Sequence, residues 1–201
     1  MLRLKKIAVT GGLACGKTSV CRFFQDLGAY VLSADDIVHK VLSSDAQVNR
    51  QVVDLLGTET FVNGKLNRER IADKVFSLPN ALQSLEKILH PKVYREIEEK
   101  YQIINKEENA SLFVAEVPLL FETGGEKYFD KTVAVISDAT YCKERYVHHI
   151  NKSREEYEKR MSNQLPQEVK VEKADFIIVN NKSLNELKPQ VKIVFKEISK
   201  E

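Results

Sequence analysis

Val9-Thr-Gly-Gly-Leu-Ala-Cys-Gly-Lys-Thr-Ser19 follows an apolar run and precedes a segment with helical spacing. Within it, Gly11-x-x-x-x-Gly16-Lys17-Thr18 fits G-x-x-x-x-G-K-[ST], the phosphate-binding P-loop. Each residue type has a physical task. Glycines let consecutive backbone N–H groups turn into one concavity. The N-terminus of the following helix adds partial positive charge. A lysine there reaches the β- and γ-phosphates of a nucleotide, and a threonine hydroxyl binds Mg²⁺. The competing reading is a glycine-rich turn beside a solvated lysine. The order of strand, loop and helix favours the phosphate loop.

The rest of the chain supplies a matching frame. Leu4–Thr10, Tyr30–Leu32, Ser111–Val117, Lys131–Ile136 and Asp175–Val179 read as strands. They are apolar, buried in character and separated by helical spacing, which predicts a parallel α/β sheet covered on both faces. A helix is expected over Lys17–Leu27, with Gly28 as its stop. Residues 40–106 carry helical spacing and little strand signal, and read as a helical insertion. His90-Pro91 is expected to divide two helices within it. A second, highly charged excursion covers 140–165, where Ser153-x-x-Glu156 is a capping box. The stretch from Ser183 reads as a helix that Pro189 kinks or begins.

Composition excludes several classes. Hydrophobic residues make up 43% of 201 and charged residues 30%, as in an ordinary globular protein. Lys and Arg number 31 against 29 Asp and Glu, a net charge of +2, which argues against nucleic-acid binding by bulk charge. No stretch approaches the roughly 20 apolar residues of a membrane span, and the N-terminus lacks a signal-peptide core. Cys15, Cys21 and Cys142 have no metal-ligand spacing, which predicts reduced thiols. The expectation is a cytoplasmic monomer with no nucleic-acid or membrane partner.

Ser33-Ala-Asp-Asp36 ends the second strand and opens a helix. In open α/β sheets, ligands bind beyond the carboxyl ends of strands. A carboxylate there orients an acceptor hydroxyl and takes its proton. Ser33 and Asp36 fit an [ST]-x-x-[DE] cap, so Asp35 is favoured as the base, with a capped or solvated role as the alternative. A GTPase is set aside. Asp54-Leu-Leu-Gly57 fits D-x-x-G but lies in a helical stretch, and Asn105-Lys-Glu-Glu108 falls short of N-K-x-D. Arg145, Arg154 and Arg160 suit a lid that closes over a transferring phosphoryl group. A solvated hairpin with charges paired along each helix, such as Glu155 with Lys159, is the alternative.

Thr10–Thr18, Ser33-Ala-Asp35, Leu89-His-Pro91, Val117-Pro-Leu-Leu-Phe-Glu122, the lid arginines, Gln164 and Ala174–Asn181 together resemble the dephospho-CoA kinase family. The resemblance covers essentially the whole chain. It implies an α/β P-loop kinase fold with a five-stranded parallel sheet, a helical acceptor-binding insertion and a lid. The core would comprise residues 1–39, 107–139 and 166–201. The implied reaction moves the γ-phosphoryl of ATP, with Mg²⁺, to the ribose 3′-hydroxyl of dephospho-CoA. Asp35 would be the base, with Lys17 and Arg145 at the phosphates. Gly12, Leu13, Ala14 and Cys15 would cradle ATP together with Gly16, Lys17, Thr18 and Ser19. Thr18 would also meet Mg²⁺, and Asn180 would lie near the adenine. Thr10, His90, Pro118 and Leu119 would join Asp35 and Arg145 around the acceptor, with His90 at a helix N-terminus. Glu122 would position groups at the cleft or cap structure.

Some residues depart from the family's usual pattern. Ala14 and Cys15 replace the first two residues of a G-S-G-K-like loop; alanine allows less backbone freedom than glycine, although a right-handed conformation would accommodate it. Cys15 brings an oxidisable thiol to the loop. Cys142 stands in place of a frequent glutamine, and His149 in place of a common second lid arginine. Val179 and Lys182 replace a frequent aspartate and glycine. Lys17, Thr18 and Asp35 are retained. The rival readings are a P-loop kinase of another small hydroxyl acceptor, such as a nucleoside, and a non-catalytic nucleotide sensor.

Overall fold

The structure, a computed structural model, describes residues 3–78, 80–149 and 153–200. Contacts divide the chain into two units: Met1–Ser33 with Tyr101–Glu201, and Ala34–Lys100.

The first unit is built on a sheet of five parallel strands. Its strands are β1 (Lys6–Gly11), β2 (Tyr30–Ser33), β5 (Phe113–Glu116), β6 (Lys131–Ile136) and β7 (Phe176–Val179), in the order β2-β5-β1-β6-β7. All six residues of β1 are buried, as a central strand covered on both faces requires. Register aligns the carboxyl ends: Glu116 lies opposite Val9 on one side and Ser33 on the other, while Gly11 lies opposite Val135. Gly11 has φ 143, and a Cβ there would meet the Val135 carbonyl oxygen at 2.1 Å. Only glycine lets the chain leave β1 at that closeness.

Helix α1 (Lys17–Asp26) buries Val20, Cys21 and Phe24. It ends where expected, with Gly28 at φ 92 and its N–H donating to the Gln25 carbonyl at 2.9 Å. Helix α9 (Leu184–Lys200) packs on it, with Phe195 against Phe24 at 6.2 Å between ring centroids. Pro189 does not begin α9, which already starts at Leu184. Leu187, Val191, Val194 and Ile198 form one buried face through the proline. Strand β7 reads as buried from its sequence, yet Ile177 and Val179 are each 42% exposed because it is an edge strand. Gln190 of α9 covers part of that edge. Its Oε1 accepts the Val179 N–H at 3.3 Å, and its Nε2 donates to the Val179 carbonyl at 3.0 Å.

The second unit contains α2 (Ala34–Ser44), α3 (Ala46–Leu56), β3 (Phe61–Val62), β4 (Lys65–Leu66), α4 (Arg68–Ser77) and most of α5 (Ala81–Glu107). Val41, Leu42, Val48, Val52, Ile71 and Leu85 belong to its core. Asp45 caps α3 by accepting the Gln47 and Val48 N–H groups. The antiparallel β3–β4 pair was not read from the sequence; Asn63 (φ 51) and Gly64 (φ 78) supply the two positive φ values that a tight hairpin demands.

His90-Pro91 does not separate two helices, and His90 is not at a helix N-terminus. Helix α5 runs unbroken through Pro91. Leu85, Leu89, Val93, Ile97, Tyr101 and Ile104 are all buried at helical spacing on either side of it. Burial of that continuous stripe offsets a proline cost of about 3 kcal/mol.

The second excursion in the sequence forms α6 (Ala139–His149) and α7 (Arg154–Met161), followed by α8 (Gln167–Lys173). Ser153 caps α7 by accepting the Glu156 N–H at 3.1 Å, as the capping box predicts. The His149 side chain lies outside the described ones. Among the described residues no helix is long and apolar enough to cross a membrane.

Candidate active site

The phosphate loop connects β1 to α1 and sits at the carboxyl end of the sheet. Gly16 has φ 96 as it enters α1, and a Cβ there would lie 2.1 Å from Asn180 Nδ2. Ala14 is left-handed, with φ 58, and not in the right-handed conformation that would accommodate an alanine. The loop's path sets this angle, and a Cβ in that region costs about 1–2 kcal/mol. Lys17 is 8% exposed and folds back over the loop. Its Nζ donates to the Gly12 carbonyl at 2.8 Å and the Gly11 carbonyl at 3.2 Å. Leu13 and Ser19 flank the loop half-buried.

Thr18 is exposed at the first turn of α1, and its Oγ1 donates to Glu116 Oε1 at 3.1 Å. Glu116 was missed from the sequence. It ends the apolar run Phe113–Ala115, and an acidic residue closing a buried strand beside the phosphate loop was the available signal. A hydroxyl and a carboxylate are hard oxygen donors of the kind Mg²⁺ takes. Among the described residues no group of three or more His, Cys, Asp and Glu could enclose a metal ion. The pair therefore fits an ion that keeps waters and phosphate oxygens as its other ligands.

Asn180 follows β7 and is 5% exposed. Its Nδ2 donates to the Cys15 carbonyl at 2.9 Å, so it braces the loop from below. Its own carbonyl accepts from Arg145 Nη2 at 2.8 Å and Ser137 Oγ at 2.8 Å. Arg145, in the second turn of α6, also donates to Ser137 Oγ at 3.2 Å. Arg145 and the loop are thus tied to one residue. Helices α6 and α7 are joined by the Lys143–Glu158 ion pair and by Tyr146 against Tyr157 at 5.5 Å. Arg160 pairs with Glu156 along α7 at 3.0 Å, and Arg154 is exposed.

Thr10 is fully buried, and its hydroxyl donates to the Pro118 carbonyl at 3.2 Å. Lys170 of α8 donates to the same carbonyl at 3.2 Å and pairs with Glu122 at 2.7 Å. Glu122 Oε1 also accepts the Leu165 N–H at 2.9 Å. The segment Pro118–Glu122 after β5 is therefore pinned to the return from the α6–α7 hairpin. Pro118 and Leu119 are half-buried there. Lys170 carried no sequence signal, since it reads as one more charged helix residue. In the second unit, Asp35 is exposed in the first turn of α2, two residues beyond the end of β2. His90 is half-buried within α5, and burial holds its imidazole below its ordinary value.

The dephospho-CoA kinase family model matches residues 5–186. The chain belongs to the dephospho-CoA kinase family. A dephospho-CoA kinase of Protochlamydia amoebophila is 45% identical over 199 residues, covering 98% of each chain. A solved dephospho-CoA kinase from Campylobacter jejuni is 31% identical, with TM-score 0.71 and 97% of both chains covered. The solved Thermus thermophilus protein TT1252 is 30% identical, with TM-score 0.83, and covers 98% of this chain and 99% of its own. Membership makes this chain a nucleotide-dependent kinase, a transferase of the final step of coenzyme A synthesis. The five-stranded parallel P-loop fold expected from sequence is the observed one.

Proposed function

We propose that the chain transfers the γ-phosphoryl of ATP directly to the ribose 3′-hydroxyl of dephospho-CoA, in the cytoplasm and as a monomer. Thr18 Oγ1 set against Glu116 Oε1 at the mouth of the phosphate loop carries this reading. In it, the backbone from Gly12 to Ser19 binds the ATP phosphates, with the α1 N-terminus adding positive charge. Lys17 exchanges the Gly11 and Gly12 carbonyls for β- and γ-phosphate oxygens. Its ammonium is already desolvated and hydrogen-bonded, so little reorganisation is needed. Thr18 and Glu116 would hold Mg²⁺, which would supply neutralisation of the phosphate charge. Asp35 orients the 3′-hydroxyl and takes its proton as the new P–O bond forms. Arg145 turns from the Asn180 carbonyl to the transferring phosphoryl group as the lid, residues 140–165, closes. Residues 40–106 bind the acceptor, with His90, Thr10, Pro118 and Leu119 around it. Asn180 positions the adenine side through its hold on Cys15.

The experiment is ADP release from Mg-ATP with and without dephospho-CoA, with product mass. Strong stimulation and one added phosphate on dephospho-CoA support the proposal. ATP binding without stimulation, or preferential phosphorylation of a competing nucleoside, rejects it.

A further inference from the structure

Two thiols that the transfer chemistry leaves unused lie against each other. Cys15 Sγ in the phosphate loop and Cys142 Sγ in the first turn of α6 are 3.0 Å apart. Both are free, and each is 2% exposed. The two residues are 127 positions apart in sequence, so the fold alone brings them together. The Cys142 sulfur also lies 3.7 Å from the Ser137 carbonyl oxygen. The hydrogen bond from Cys142, with the charge of Lys17, pulls the Cys15 thiol down to about 7, and Cys142 is pushed up in return. The third cysteine, Cys21, is buried in α1, and burial and Glu116 push its thiol well up.

We infer that Cys15 and Cys142 are a dithiol site for small hydroperoxides, closing to a reversible disulfide that switches the phosphate loop off. The Cys15 thiolate attacks the peroxide: an S–O bond forms, the O–O bond breaks, and the departing oxide takes a proton to leave as an alcohol or water. Cys142 then attacks the Cys15 sulfenic sulfur: the S–S bond forms, the S–O bond breaks, and water leaves with the Cys142 proton. The two thiols give up two electrons and the peroxide receives them.

The disulfide would reach the catalytic machinery through geometry. The sulfurs must close from 3.0 Å to about 2.05 Å. Cys142 is fixed within α6, where its N–H donates to the Asp138 carbonyl at 3.0 Å. Cys15 is in the loop, where among the described residues a 3.4 Å bond to Gly12 and the Asn180 amide hold its backbone. The displacement therefore falls on the loop. The new bond also ties that loop to the helix carrying Arg145. A misplacement of about 1 Å in positioned reacting groups costs about 100-fold in rate.

The test treats the full-length protein with hydrogen peroxide, then maps peptides without reduction and counts free thiols. Turnover is measured before and after dithiothreitol. The expected result is a Cys15–Cys142 linked peptide, with one thiol of the three remaining. Turnover falls by at least about tenfold and returns on reduction. Cys142→Ala keeps basal turnover and loses the reversible inactivation. If Cys142→Ala melts early, Cys142→Ser serves in its place. Added oxygen on Cys15 with no linked peptide overturns the inference. So does a linked form that turns over as fast as the reduced one. The turnover arm rests on the proposed phosphoryl transfer, whereas the peptide map does not. Were the reduced protein inactive toward dephospho-CoA, ATP affinity of the linked and reduced forms would replace turnover, and equal affinities would overturn the switch.

Discussion

Replacing Lys170 by methionine tests the buried pair that pins the loop after β5. The Lys170 side chain is 1% exposed and Glu122 13%. Breaking a buried ion pair by removing one partner costs about 3–5 kcal/mol, because the remaining charge is stranded. After the change, Glu122 Oε1 keeps the Leu165 N–H, while Oε2 already lacks a hydrogen-bond partner among the described residues. One donor for a buried carboxylate softens the loss, which sets the expectation near 3 kcal/mol, the lower end of that range. For a chain of this length, each kcal/mol lowers Tm by about 2–4 °C, so a fall of about 6–12 °C is expected. Thermal melts of the wild type, Lys170→Met, Glu122→Gln and the double variant complete a double-mutant cycle. The double variant removes both charges while keeping an oxygen for the Leu165 N–H, so it recovers much of the loss. The reasoning fails if Lys170→Met costs under about 1 kcal/mol, or if the double variant falls by the sum of the two singles.

Asp35→Asn keeps ATP binding and loses about 10²–10⁴-fold in turnover, measured by ADP release beside a separate nucleotide titration; near-normal turnover removes Asp35 from the base role. Ala14→Gly relieves the left-handed alanine and raises the urea midpoint, by about 1 kcal/mol or less, since glycine also loosens the unfolded chain. A lower midpoint would mean the alanine methyl is holding the loop. Asp45→Ala removes the α3 cap and costs about 1 kcal/mol at neutral pH. The Val48 N–H and Lys92 hold the Asp45 carboxyl below its usual value. Its contribution is therefore full above the unfolded value of about 4 and disappears as pH falls through the depressed folded value. Denaturant midpoints of the two proteins should converge in acid, and a constant gap would contradict the assignment.

The phosphate loop and the five strands were legible because their signals are local. A motif with fixed spacing and short apolar runs between glycine and charge needs no tertiary knowledge. The errors arose where distant packing outweighs a local preference. Proline favours a helix boundary at His90, but the stripe from Leu85 to Ile104 is buried on both sides of Pro91 and keeps α5 whole. Alanine favours right-handed backbone, but the loop's path from Gly11 to Gly16 turns Ala14 the other way. Glu116, Lys170 and the Cys15–Cys142 contact depend on strand order and on elements far apart in sequence. Of these only Glu116, closing an apolar strand, left a trace that sequence alone could have caught. Asp35 as base and Arg145 in the lid were argued from their places after a strand and on a charged hairpin, with alternatives left open that the resemblance narrowed, whereas the role of His90 came from resemblance alone, since an imidazole on a helix has many uses.

The Gln190 amide on Val179 bears on how the molecule avoids itself. In a parallel edge strand, every second residue turns both its N–H and its carbonyl outward, as an open template for a neighbour's chain. At β7 that template is flanked by Ile177 and Val179, β-branched side chains suited to strand pairing. Gln190 offers Val179 one donor and one acceptor, as a peptide group of a sixth strand would. A second chain pairing at Val179 must first evict that amide, so at this point of the edge the helix stands where a sixth strand would.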